Sequence, residues 1–423
     1  MNLLRPLAAS CGLILTLSIV ACTPPGAQPP NADDLNSSSA AESKPGHGAV
    51  AGASEESEAQ LQLLTVDTTG RVGLLDLLDS SEREIAHITA PAHLSSDGRY
   101  GFAAHAAGVE IVDSGVWTWD HGDHSHYYRS EPELLGSVAG EGIATVIGGP
   151  LSTAGGTGVF FPTSGDAVLL DNTALAHGSV EELFRVRVSP HSGLIAPFAD
   201  GAVVSETDAN GHPSTLRYIS ADGSASDHTA ACDHPHSALH TRAGLVVICT
   251  GGAVVGTTAS DGTPEFDFVA SPVQGAVLPT MSGRKGRPVL AGPSPDTGIT
   301  LFDSRARTWD SIQSEFRFIA AGAVDDAESH VVAVDTTGRV HVFRDGRAIA
   351  VTTPLLTATD LTASTHRGEF EVASIALSLD ANRAYLASPE RATVTEIDFA
   401  DNARISREFQ PKIAPAVFAE TGR

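Results

Sequence analysis

From residue 61 onward, short runs in which apolar and polar positions alternate are cut by Gly or Asp-Gly turns. Alternation with a period of two is the mark of β-strands, and the turn residues set their ends. One such unit, Leu64-Thr-Val-Asp-Thr-Thr-Gly-Arg-Val72, returns almost unchanged as Val332-Ala-Val-Asp-Thr-Thr-Gly-Arg-Val340. Similar strand–turn–strand units lie at 93–100, 158–171, 184–200, 232–252, 278–303, 320–343 and 373–398. Their spacing of about 40–50 residues is the period of a four-stranded propeller blade. Each blade reads as an inner strand, a turn, a second strand, a Gly turn, a third strand ending in Asp, and an outer strand.

The pattern therefore predicts an all-β chain folded as a β-propeller. At about 45 residues per blade, residues 61–423 hold about eight blades. Residues 61–88 supply only three strands before the next blade opens at His93. The missing inner strand is assigned to residues 413–419, so that N- and C-terminal strands close the ring. If that tail lay outside, the count would be seven. A two-domain sandwich would not give so regular a period.

The first sixty residues read differently. Arg5 precedes an apolar run over 7–20, too short for a helix to cross a bilayer core of ~30 Å. It ends in Ser18-Ile-Val-Ala-Cys22, which resembles a bacterial lipobox. That likeness implies cleavage before Cys22, a diacylglycerol on its thiol, and an extracytoplasmic lipoprotein anchored to the outer face of the cell membrane. Residues 22–60 are rich in Pro, Ser, Ala, Gly, Asp and Glu, a composition expected of an acidic disordered linker, with His47 its one imidazole. The expected organisation is a signal peptide (1–21), a lipidated tether (22–60) and a propeller (61–423). With 51 acidic and 26 basic side chains the formal charge is -25, which argues against nucleic acid as a partner.

Candidate chemistry concentrates in Trp117-Thr-Trp-Asp-His-Gly-Asp-His-Ser-His-Tyr-Tyr128. His121, His124 and His126 with Asp120 and Asp123 offer the nitrogen and oxygen donors that suit Zn(II). In an extended chain His124 and His126 face one way, and His121 and Asp123 the other. A loop, inserted between a strand ending at Asp113 and one starting near Glu133, is expected to fold both sets around one ion. A second set lies on the blades: His93 and His236 at equivalent places on inner strands, and His105 at the end of a second strand by the Gly108 turn. These are expected to contribute at the central channel, with His234, His240, His177 and His366 ranked behind them. Cys232 and Cys249 are the thiols left once Cys11 falls in the signal and Cys22 is lipidated. Outside the membrane they are expected to form a disulfide, the alternative being thiolate ligands beside His236. No Gly-x-Ser-x-Gly elbow, His-Glu-x-x-His helix or phosphate-binding loop is present, so no catalytic residue is nominated.

Taken together, Val112-Asp-Ser-Gly-Val-Trp117, Asp120-His-Gly-Asp-His-Ser-His-Tyr-Tyr128 and the Cys232…Pro235-His236…Cys249 hairpin resemble the AztD zinc metallochaperones. Those are exported β-propellers that pass Zn(II) to the solute-binding protein of a zinc ABC importer. The resemblance implies a monomeric zinc carrier, not an enzyme. It implies His121, His124 and His126 as ligands with Asp123 assisting, and His93, His105 and His236 as the channel-side contribution. The chain departs from the family in its lipobox and in a tail that offers only His47. Two other readings are a metal-dependent propeller hydrolase or lactonase, and a metal-free propeller that docks proteins.

Overall fold

The repeated Asp-Thr-Thr-Gly-Arg segment shows how a blade is turned. Asp67 Oδ1 accepts hydrogen bonds from the Thr69 backbone N–H (2.9 Å), its hydroxyl (2.7 Å) and the Arg71 N–H (3.1 Å). Asp335 Oδ1 repeats the arrangement with Thr337 and Arg339 at 2.7, 2.7 and 3.1 Å. An Asp side chain that gathers the N–H groups two and four residues on stabilises the tight turn between strands. Gly70 completes it at φ 92°, where a Cβ would lie 1.9 Å from the Ile88 carbonyl oxygen.

The computed structural model describes residues 50, 52–120, 124–272, 280–365 (363–365 as backbone) and 377–423. The fold is an eight-bladed β-propeller. Seven blades are four-stranded antiparallel sheets. Among the described residues the remaining one has three strands, Val289–Pro293, Ile299–Asp303 and Thr308–Ile312, with an inner position marked by a Ser282–Ala291 bridge. Ring closure follows the expected three-plus-one scheme: Val417–Thr421 pairs with Gln62–Val66 and completes the first blade.

Packing shows why the ring closes. The apolar residues fall into eight buried clusters, and each joins two successive blades. Leu64, Val72, Leu94 and Val112, for example, join the first blade to the second. The cluster of Leu63, Leu75, Tyr385, Val394 and Phe418 joins the eighth back to the first. A blade buries both faces against neighbours, so its middle strands are buried throughout rather than on alternate residues, as in Gly156–Phe161.

Cys232 and Cys249 form a disulfide across 17 residues, with Cα atoms 5.3 Å apart. It links the end of the fourth blade's outer strand, Ala225–Ala231, to Gly244–Cys249 of the fifth. Both sulfurs are therefore withdrawn from metal ligation. Substituting both cysteines by Ser is expected to cost about 3 kcal/mol, the chain-entropy value for a loop of this length, and differential scanning calorimetry would register it.

The tether departs from expectation at its end. Ser54–Glu56 is a strand, and it pairs with Ser125–Arg129 rather than remaining unstructured. Gln60 is buried and accepts from Arg129 Nε (2.9 Å) and Nη2 (2.6 Å). The ordered body thus begins before residue 61, because the histidine segment offers a strand edge for the tether to join. Residues 1–21, Cys22 and His47 lie outside the described residues. Among the described residues, no helix is long and apolar enough to cross a membrane.

Candidate functional site

The histidine segment is a β-hairpin rather than a loop. Val116–Asp120 pairs with Ser125–Arg129, so that Trp117 lies opposite Tyr128 and Trp119 opposite His126. Side chains paired across strands share a face. Trp117 and Tyr128 stack at 5.0 Å between ring centroids, Tyr128 and His126 at 6.2 Å, and His126 and Trp119 at 5.6 Å. The flanking aromatic residues thus pack the segment as a ladder of rings along one face.

The base of that ladder is charged and dry. The Arg99 guanidinium lies 3.9 Å from the Trp117 ring centroid. It donates to Asp113, with Nη2 to Oδ2 at 2.6 Å and Nε to Oδ2 at 3.0 Å, and both side chains are buried. The hairpin is tied to the ring at two further points. Thr118 donates its hydroxyl to the Gly422 carbonyl at 2.7 Å, and Arg242 of the fifth blade pairs with Asp120 at 2.5 Å. The first ties it to the strand that closes the ring, the second to the inner hairpin turn of a distant blade.

His124 and His126 are brought together, with ring centroids 4.8 Å apart. His126 is 7% exposed, and its Nδ1 lies 2.5 Å from Glu55 Oε1 on the tether strand. A carboxylate only accepts, so Nδ1 carries the proton and Nε2 is the nitrogen that would bind a metal. Carboxylate–histidine pairs of this kind orient imidazole ligands in zinc sites. The donor chemistry fits Zn(II), and His124 and His126 would supply two nitrogens. His121 and Asp123 lie outside the described residues. Among the described residues, no group of three or more His, Cys, Asp or Glu is gathered around a common point.

The second set lies apart from His124 and His126, so it does not join them in one ligand set. His93 opens the inner strand His93–Ser96 and pairs with Ala104, whereas the hairpin follows Asp113, which pairs with Tyr100 at the other end of the blade. His236 likewise precedes Ser237–Thr241, while Arg242, which reaches Asp120, follows it. An inner strand of four or five residues at a rise of ~3.3 Å puts roughly 10–13 Å between its first and last residues. His93 and His236 share one mouth of the ring, and His124 and His126 stand at the opposite one. His105 is at the same mouth as His93 but on the other face of its blade, one register step along, and lies 3.6 Å from Glu110. His236 Nδ1 is 2.9 Å from the His234 carbonyl oxygen.

No family model matches the chain. The zinc chaperone AztD of Citrobacter koseri is 25% identical over 242 residues, covering 55% of this chain and 56% of that protein. The match thus spans little more than half of the relative's length. A crystal structure of Citrobacter koseri AztD superposes with a TM-score of 0.70 at 20% identity, over 86% of this chain and 98% of that one. The structure of its apo form gives a TM-score of 0.70 at 19% identity over the same shares. The chain resembles the AztD zinc chaperones.

Glu55, Arg242 and the Arg99–Asp113 pair support the site without having been foreseen as parts of it, and Asp120, expected as an oxygen donor, is instead paired with Arg242. Glu55 lies 71 residues from His126 in an acidic tether, with no local pattern to single it out. The Arg99–Asp113 pair does carry a signal: Arg99 immediately precedes the strand Tyr100–His105, and Asp113 ends the neighbouring Gly108–Asp113 and opens the Asp-Ser-Gly turn into the hairpin. A polar side chain at a blade interface is expected to find a charged partner.

Proposed function

We propose that this protein is a zinc carrier, not an enzyme, that holds Zn(II) at the Val116–Arg129 hairpin and passes it to the solute-binding protein of a zinc ABC importer. The observation that carries the proposal is the His124–His126 pair, with His126 oriented by a carboxylate and seated on an ordered ladder of rings. The likeness to a protein named as a zinc chaperone supports the cargo. His121 and Asp123 complete the proposed ligand set beside His124 and His126. His93, His105 and His236, at the far mouth, are left to a separate role. A lipidated Cys22 would keep the carrier extracytoplasmic, at the outer face of the cell membrane and near its acceptor.

Release has a physical rationale. A site of four ligands on fixed strands is closed and slow to exchange. A hairpin standing at the rim of the ring presents the exposed His124 to an acceptor before the buried His126, and the -25 net charge favours the approach of cations.

Isothermal titration of the full mature chain with Zn(II) tests the proposal. His124→Ala and His126→Ala are each expected to weaken binding by about tenfold or more, with the combination including His121→Ala abolishing it. Undiminished binding by the triple variant would sink the site. Zinc lost to a chelating dye as fast as to the purified acceptor would sink the directed handover.

A further inference from the structure

The strand that carries Glu55 is the least secured part of the site. Ser54–Glu56 has three residue pairs with the hairpin, Ser54 to Arg129, Glu55 to Tyr128 and Glu56 to Tyr127. It forms one edge of a three-stranded sheet in which Ser125–Arg129 is the middle strand. Glu55 is 44% exposed even while it holds His126. The hairpin beneath it is tied by Trp117, Thr118 and Asp120, whereas the strand's next fixed point is Gln60, four residues further on.

Short edge strands open at low free energy, because few hydrogen bonds and little apolar area are lost. Opening here would have a chemical consequence. With the strand in place, the carboxylate favours the Nδ1–H form of His126 and leaves Nε2 as the nitrogen that would bind a metal. With the strand lifted, the imidazole keeps its stacked neighbours but loses the carboxylate that selects the Nδ1–H form. The edge of Ser125–Arg129 is bared at the same moment.

We propose that Glu55 is a positioning residue borne on a detachable strap, and that lifting Ser54–Glu56 from the hairpin loosens the grip on the metal. The proposal rests on the zinc reading above for its cargo, but its first test needs no metal. In the zinc-free full chain, ¹⁵N NMR of His126 is expected to show the Nδ1–H tautomer, and Glu55→Ala to convert it to a mixture. An exposed Glu makes little contribution to folding, so the variant's melting temperature should match the parent's. Glu55→Ala is then expected to lower Zn(II) affinity by about 10–100-fold, with Glu55→Gln between it and the parent.

The strap is tested by locking it. Cysteines at Glu56 and Tyr127, which are paired across the strands, would form a crosslink. Loss of Zn(II) from the crosslinked chain to a chelating dye is expected to slow by about tenfold relative to a chain with Ser at both positions. An unchanged His126 tautomer in Glu55→Ala overturns the positioning role, and equal release from the crosslinked and Ser chains overturns the strap. If the parent bound no zinc, the carrier reading would fail while the tautomer result still stood or fell by itself.

Discussion

Asp113→Ala is expected to destabilise the protein by about 3–5 kcal/mol, because it leaves the Arg99 guanidinium charged, buried and unpaired. Arg99 and Asp113 side chains are 6% and 4% exposed. Asp113 also accepts from the Gly115 N–H at 2.8 Å, so the same carboxylate shapes the turn that launches the hairpin. The loss should therefore be double: a lower melting temperature, and weaker zinc binding as the Trp117 end of the ring ladder loosens. Replacing the pair together, Arg99→Met with Asp113→Leu, removes the orphaned charge and should recover most of the stability. It should not recover zinc affinity, because the Gly115 bond and the cation against Trp117 are gone. Calorimetry of the two variants and the parent, followed by zinc titration, separates the contributions. A loss below about 1 kcal/mol for Asp113→Ala would mean that water reaches Arg99 and that the base of the hairpin is not dry.

What the sequence revealed and what it concealed have distinct physical causes. The blades were legible because each repeats a local rule, apolar alternation ended by an Asp or Gly turn, and residues 64–72 and 332–340 repeat it almost letter for letter. The closing strand was found by counting, within a few residues of its actual span of Val417–Thr421. The hairpin was located by its neighbours, but its strands were not read. Asp, His, Gly and Ser are poor strand formers, and the ladder of Trp, Tyr and His that secures the pairing shows its logic only across the turn.

The histidines were harder to place for a geometric reason. Of the inner-strand histidines expected at equivalent places, His93 lies on its strand, whereas His236 stands one residue before Ser237–Thr241, where Ser237 takes the place of His93. Which mouth of the ring receives an insertion depends on the direction of the strand before it. Gly108–Asp113 runs toward the mouth opposite His93, and the hairpin goes with it. Parity decides the rest, since His93 and His105 sit one register step apart and so project from opposite faces. Glu55 could not be picked out at all, because its role depends on a contact across 71 residues from a segment whose composition resembles that of a linker.

The seam that closes the ring leads to a second large effect, a stability that falls as pH rises. Glu420 lies on the closing strand, wholly buried between the first and eighth blades. Ser378 donates its hydroxyl to Oε2 at 3.1 Å, and Arg423 stands 3.2 Å away. Burial pushes this carboxyl up to about 8; Arg423 opposes the rise and the Asp380 carboxyl adds to it. Its folded-state value is raised, so the native chain keeps a proton that the unfolded chain releases above about 4.5. The stabilisation is therefore complete below about 4.5 and is lost as pH climbs through about 8, by roughly 3–5 kcal/mol in all. Glu420→Gln retains the shape and cannot ionise. Relative to the parent, it should gain stability steadily between pH 5 and 8, and calorimetric melting across that range reads the difference directly. A difference that stays constant with pH would show that Glu420 is already ionised in the ring and that Arg423 alone holds the seam.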